Sequence, residues 1–583
     1  MRILLVSFFL TLIFLSCESK VEDIEIDFIT PFESSKGTET ATYEEVIEFY
    51  LRLAKEFPEI NIQTIGETDS DKPLHLVTYN ADGDFNFNKI TKNKTVLLIN
   101  NGIHPGESDG IDATMLLFRD LASGKISSPE QTVVVTIPIY NIGGALNRNS
   151  TTRANQNGPE SYGFRGNALN YDLNRDFIKT DTKNARTFAK IYHLVKPDLF
   201  IDNHVSNGAD YQYTLTHLFT QHNKLGGELG HYLHNTLMPS LEDSLSLEDW
   251  SITPYVNVFN KPPEVGFQQF MDHPRYSTGY TTLWNTLGMM VETHMLKPYQ
   301  PRVEGTYKLM EKMIAISEKE GKKIKELRTK ASNRHLNWNY YPTKWSVDST
   351  KSSVLKFKGY QADTIISKVT GHNRLKYDRN RPFTKNVVYY NYFKATDSVK
   401  IPEAYIIKKQ WKKVMDLLAL NEIEFELIKK DTILQVESYR IEDYSTVKNP
   451  YEGHYLHYDT HTSSKMAEVN FEEGDIVVYT DQPGFRYIME TLEPSSTDSF
   501  FNWNFFDTIL QQKEGFSPYV FEDTALNLLE QDTVLKKEFE AKKEVDAKFS
   551  ENWYAQLKWI FERSPLYEKA HKQYPIYRVP KEK

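Results

Sequence analysis

Residues 95–100 read Thr-Val-Leu-Leu-Ile-Asn, an apolar run with no alternate polar position to turn towards water. A short run of this kind suits a central strand covered on both faces, and covered sheets need helices around them. Amphipathic helix candidates flank it, one starting at Thr42 with apolar residues at Val46, Ile47, Tyr50, Leu51 and Leu53, and another over 109–121. Further strand candidates lie at 60–65, 74–79, 132–139, 198–202, 211–218 and 288–292, and a charged helical pattern covers 303–330. This mixture predicts a layered α/β domain.

The texture changes near residue 340. Residues 345–400 alternate aromatic, β-branched and charged residues and read as short strands. A strand–helix–strand unit follows over 404–407, 410–420 and 423–428, then a strand at 475–479 and helices over 501–513, 523–529 and 536–561. Residues 340–583 therefore read as a separate, smaller α/β domain with helical parts, and its composition assigns it no role.

The chain has 583 residues, and its net charge of -10 argues against nucleic acid as a partner. A mean hydropathy of -0.53 argues against a polytopic membrane protein. The single cysteine, Cys17, excludes intrachain disulfides and Cys-ligated zinc. It closes an apolar run over residues 3–15 that is too short to span a bilayer and fits a signal-peptide core. Leu15-Ser16-Cys17 followed by acidic sequence resembles a bacterial lipoprotein lipobox. That resemblance implies a signal peptide over 1–16, acylation of Cys17, a tether over 17–41 and a globular body held to the lipid bilayer of the cell envelope.

Four segments carry chemistry. His104-Pro-Gly-Glu107 follows the 95–100 strand, where a turn can bring one imidazole and one carboxylate onto a single metal ion. With 16 histidines, a His-x-x-Glu arises about once by chance, so alone it reads more readily as a surface turn. Arg165-Gly-Asn-Ala-Leu-Asn-Tyr-Asp-Leu-Asn174-Arg175 combines arginines and an amide suited to gripping a carboxylate; a solvated loop is the plainer reading. His204 ends the strand Asp-Leu-Phe-Ile-Asp-Asn-His, and Glu292 ends Gly-Met-Met-Val-Glu. Ligands collect at such strand ends in α/β sheets, and Glu292 beside a metal could act as a general base. Each is singly explained as an ordinary paired polar residue.

In this order, the four segments resemble the zinc carboxypeptidase family related to carboxypeptidase A, over roughly residues 42–330. The resemblance implies a three-layer α/β/α domain with a mixed sheet over 42–335, followed by the accessory domain over 340–583. It implies one zinc ion per chain bound by His104, Glu107 and His204, with Asp172 orienting the first histidine. It implies hydrolysis of the C-terminal peptide bond of peptides by a zinc-activated water, with Glu292 as general base and Arg165 stabilising the oxyanion. Asn174 and Arg175 would grip the terminal carboxylate. A substrate-capping tyrosine is expected at Tyr280, with Tyr276 the neighbouring candidate. Asn170 stands where the family motif often has Gly, and Asn141-Ile-Gly-Gly144 replaces its usual turn.

Three histidines at 454, 457 and 461 suggest a second metal site less well than a solvated loop, and His231 and His234 read as residues of a helix. A zinc amidase acting on cell-wall peptides or N-acyl amino acids remains a second reading, and a non-catalytic lipoprotein that binds peptide or glycan a third.

Overall fold

The structure is a computed structural model and describes residues 28–581. The signal-like run and Cys17 lie outside the described residues. Nine strands come from the first part of the chain: β1 (Ile60–Glu67), β2 (Pro73–Tyr79), β3 (Thr95–Asn100), β4 (Thr132–Ile137), β5 (Leu199–Ser206), β6 (Leu215–Phe219), β7 (Ile252–Pro254), β8 (Phe267–Gln268) and β9 (Leu287–His294). All but β8 form one mixed sheet in the order β1-β2-β4-β3-β5-β9-β6-β7. Its middle, β4-β3-β5-β9, is parallel, while β2 against β4 and β6 against β9 are antiparallel. Every residue of β3, β4 and β5 is buried, so both faces are covered, as the apolar runs require.

The covering helices follow local rules. Thr42 caps the helix Tyr43–Glu56 in a reciprocal box with Glu45. The helix Asp109–Ala122 is buried along most of its length, and Tyr299–Asn333 packs on it and on β3 and buries Val303, Leu309, Met310 and Met313. A side chain at Gly321 would collide with Thr95 Oγ1, 1.9 Å from an ideal Cβ, so glycine permits this close crossing. Residues 28–41, expected as part of a tether, are instead docked. Phe28 and Phe32 are buried, Phe32 packs edge-on against Tyr299, and Ala41 N donates to the buried carboxylate of Asp112.

Beyond residue 340 the strands are longer than expected. β10 (Tyr340–Val347) pairs with β13 (Phe393–Lys400), and between them β11 (Ser353–Ile366) and β12 (Asn373–Tyr390) make a hairpin with strands of 14 and 18 residues. β12 also pairs with β8, tying the hairpin to the first region. The strand–helix–strand unit is present as β14 (Ala404–Ile407), the helix Lys412–Leu420 and the short β15 (Glu426–Leu427). With β16 (Thr432–Thr446), β17 (His457–Phe471), β18 (Ile476–Tyr479) and β19 (Gln573–Val579), it builds a second sheet. The helix expected over 501–513 does not form, because Asn504 adopts a positive φ of 64° and only a 3-10 turn at Asp507–Leu510 remains. The helix expected over 536–561 is cut at Asp546 and Asn552, whose side chains cap the following helices. One hydrophobic core runs from Leu97 through Tyr280 to Leu417 and Trp503, so residues 340–583 are not a free-standing appendage.

Candidate active site

The parallel strands deliver the site. His104 and Glu107 sit on the turn after β3, and His204 lies within β5, the strand beside β3. These three side chains offer ligand atoms that all lie within 4.8 Å of one another, the one such group among the described residues. Glu107 occupies the middle: Oε1 is 3.3 Å from His104 Nδ1, and Oε2 is 3.1 Å from His204 Nδ1. Each imidazole turns its other nitrogen to a carboxylate, His104 Nε2 to Asp172 Oδ1 at 2.9 Å and His204 Nε2 to Asp202 Oδ2 at 3.0 Å. This is the arrangement that fixes metal-binding histidines, because the outer carboxylate sets both tautomer and ring orientation. Two nitrogens and one carboxylate, inward-facing and buried, fit a zinc ion with a position left open.

Charge is balanced around these donors. Burial alone would push Glu107 up, but Arg153 at 2.9 Å and His104 hold it well below the usual carboxylate range. Burial would lower His204, yet Asp202 raises it well above the usual histidine value. Asp202 is itself buried, accepting from Asn100 Nδ2 at 3.0 Å and from the Ser277 hydroxyl.

Glu292 lies opposite His204 in the β5–β9 register. Thr216 Oγ1 donates to its backbone carbonyl, and its carboxylate has no hydrogen-bond partner among the described residues and lines the cleft. Burial pushes it up to about 7, with His204 pulling down and Glu107 adding to the rise. Arg165 binds Asp172 through Nε and Nη2 at 3.0 and 2.8 Å and brings Nη1 within 3.4 Å of His104 Nδ1. Asn174 and Arg175 line the same cleft, whose volume is about 560 Å3. The Arg175 guanidinium lies over the Tyr276 ring at 4.6 Å.

Tyr280 is not in the cleft. It is 1% exposed, its hydroxyl donates to Asn421 Oδ1 at 2.6 Å, and Phe177, Phe188, Tyr192 and Trp284 surround its ring. Tyr276, at the start of the short helix Ser277–Thr281, is the tyrosine that faces the site, and Tyr255 lines it too. The two departures from the family motif have structural answers. Asn170 takes a φ of 66°, a conformation asparagine tolerates better than most residues. Asn141 accepts from Gly144 N at 2.8 Å and donates to the Arg165 carbonyl at 2.9 Å, so this turn supports the backbone at Arg165.

Three features escaped the sequence reading. Asp202 had a legible signal, since residues two apart on a strand share a face and Asp202-x-His204 places a carboxylate beside the imidazole. Arg153 had none, because it arrives from an irregular segment; Gly106 leaves it room, as an ideal Cβ there would sit 2.6 Å from Arg153 Cδ. The third is the contribution of the distant region. Glu452 Oε2 accepts from Asp172 N at 2.8 Å, His454 Nε2 meets Asp181 Oδ2 at 2.7 Å, and Asp498 holds both the backbone and guanidinium of Arg275 beside Tyr276. His454 and the buried His457 are thus packed residues rather than parts of a solvated loop, while His461 is exposed. His234 belongs to a π-helical turn and stacks on His222 at 4.1 Å.

The chain is similar to metallocarboxypeptidases of known structure. One is a metallo-carboxypeptidase from Burkholderia cenocepacia, 15% identical over 47% of this chain and 69% of that one, with a TM-score of 0.36. The carboxypeptidase A from Helicoverpa armigera is 14% identical over 48% of this chain and 74% of its own, with a TM-score of 0.37. A metallo-carboxypeptidase from Pseudomonas aeruginosa, in complex with (2-guanidinoethylmercapto)succinic acid, is 13% identical over 48% and 69%, with a TM-score of 0.35. No protein-family model matches the chain, and neither does any curated protein sequence. Likenesses of this size leave the chemistry to the geometry just described.

Proposed function

We propose that this chain is a zinc-dependent carboxypeptidase that removes the C-terminal residue of peptides. The observation that carries the proposal is the inward-facing set His104, Glu107 and His204, with Glu292 in register beside it and Arg165, Asn174 and Arg175 on the same cleft. His104, Glu107 and His204 would hold the ion. Bound zinc supplies Lewis-acid polarisation of a carbonyl and acidifies water.

The chain's own residues do the rest. The Glu292 carboxylate, free of hydrogen bonds to protein, takes a proton from water as it attacks the amide carbon and returns it to the leaving amine. Arg165, half-exposed at the cleft, would bond the oxygen that gains charge through Nη1, an effect whose removal typically costs ~10²–10³ in rate. Arg175 and Asn174 would offer a guanidinium and an amide to the terminal carboxylate; Arg175 Nη1 already donates to the Asn174 carbonyl at 2.8 Å, and its guanidinium lies over the Tyr276 ring. A grip on that carboxylate makes the enzyme act on chain ends. Anchoring through acylated Cys17 in a bacterial envelope belongs to the same proposal and rests on the sequence at residues 1–17.

Mass spectrometry of a peptide panel incubated with zinc-loaded protein tests this reading. Free-acid peptides should lose one residue at a time, and their C-terminal amides should stay intact. Equal cleavage of acids and amides would overturn the carboxypeptidase assignment in favour of an amidase. Stoichiometric zinc without any cleavage would favour a binding protein.

A further inference from the structure

A second, larger cleft of about 1020 Å3 adjoins the catalytic one. The two share Asn155, Asn207, Phe259 and Met295, and the second contains none of the clamp residues Asn174, Arg175 or Tyr276. Its far wall is the end of the β11–β12 hairpin, through Thr364, Asn373, Arg374 and Leu375. That hairpin is firmly held. Tyr213 Oη donates to the Lys356 carbonyl, Gln212 Nε2 donates to the carbonyls of Gly359 and Phe383, and Arg379 pairs with Asp210 at 2.7 Å. Phe357, Val387 and Tyr389 pack beneath it against Tyr211, Tyr213 and Phe267.

The lining has a definite chemistry. Asn155, Asn207, Asn260 and Asn373 carry side-chain amides with no hydrogen-bond partner among the described residues, and Arg374 is exposed with no ion-pair partner among them. A free amide both donates and accepts, which matches the alternating N–H and C=O groups of a peptide backbone. Phe259, 49% exposed on the boundary between the clefts, offers an apolar platform for a side chain.

We propose that the hairpin β11–β12 and the loops facing it extend the substrate site, binding the peptide on the amino side of the scissile bond and preferring a carboxylate-bearing residue opposite Arg374. This rests on the carboxypeptidase reading. With the terminal carboxylate held at the clamp, the rest of the substrate must leave the catalytic cleft elsewhere, and the shared wall of Asn155, Asn207, Phe259 and Met295 opens into this groove. The accessory region thereby gains a role in choosing long substrates over short ones.

The test is a binding measurement on the full chain carrying Glu292→Gln, loaded with zinc, using fluorescence anisotropy of labelled free-acid peptides. The panel comprises an N-acyl dipeptide and nonapeptides with the same C-terminal residue, with Glu or Lys scanned along the upstream positions. The nonapeptides should bind roughly tenfold or more tightly than the dipeptide, with at least one upstream Glu favoured over Lys. Adding Arg374→Glu should weaken that Glu peptide by roughly two- to fivefold and tighten its Lys counterpart, a size set by an exposed ion pair. Equal affinity for dipeptide and nonapeptides would overturn the proposal. So would an Arg374→Glu effect that is the same for Glu, Lys and dipeptide ligands. Turnover plays no part in this readout, so a failure of the wild type to cleave any peptide would count against the carboxypeptidase reading and not against the groove.

Discussion

Tyr280→Phe separates a tyrosine that caps substrate from one that holds the fold. The substitution leaves the ring among Phe177, Phe188, Tyr192 and Trp284 and removes only the hydroxyl that donates to Asn421 Oδ1 at 2.6 Å. Asn421 Oδ1 is then left with His193 Nε2 at 3.5 Å, the outer limit of a hydrogen bond. The loss is therefore one net hydrogen bond plus much of the desolvation cost of a buried acceptor, about 1–3 kcal/mol. For a cooperative unit of this size, that lowers Tm by a few degrees. Urea or thermal unfolding should show the loss, and a cycle with Asn421→Ala should show that the two substitutions are not additive. In the same preparation, kcat and KM on a free-acid peptide should stay within about twofold of wild type, since Tyr280 touches no part of the cleft. A fall in kcat of ~10² or more at unchanged Tm would refute the reasoning and return Tyr280 to the substrate.

Other consequences can be checked independently. Burial raises Asp112 from its ordinary 3.8 to about 6, so its ionised form opposes folding; that penalty is absent below about pH 3.8 and complete above about pH 6. Asp112→Asn should therefore stabilise the protein at pH 7.5 by up to about 3 kcal/mol and change little at pH 3.5, read from urea midpoints at the two pH values. Asp202→Asn should weaken zinc affinity by about 10–100-fold in a chelator competition, because it replaces the carboxylate on the outer nitrogen of His204 with a neutral, weaker acceptor. Glu452→Ala removes the acceptor for the backbone N–H of Asp172, the residue that holds both His104 and Arg165, and should lower kcat/KM for free-acid peptides roughly three- to tenfold, while Glu452→Gln restores it. Cys17→Ser should move the protein out of the membrane fraction or block its processing, measured by fractionation and intact mass; continued membrane attachment would remove the lipid anchor from the proposal.

Much of the site was legible because its chemistry is local. His104 and Glu107 share one turn, Asp172, Asn174 and Arg175 share one loop, and the apolar runs ending at Asn100 and near His204 and Glu292 could only be covered strands. Strand ends in a parallel sheet then bring these segments together without further information. What the chain's order could not disclose is which side of a short helix meets which neighbour. Tyr276 and Tyr280 are one turn apart, and the second is claimed by Asn421, some 140 residues onward, while the first is left facing Arg175. Arg153 comes from an irregular segment, and its approach to Glu107 depends on the space above Gly106. Residues 28–41 read as a tether because their apolar residues are few, yet Phe28 and Phe32 find a core surface prepared by Phe49 and Tyr299. Alternation in residues 345–400 identified strands but not their length, since a hairpin held by β8, Tyr213 and Gln212 needs few apolar residues of its own. Spacing along the chain sets the donors, the turns and the strand ends; contacts between segments hundreds of residues apart decide which of several equivalent side chains reaches the cleft, because only the packed fold ranks their surroundings.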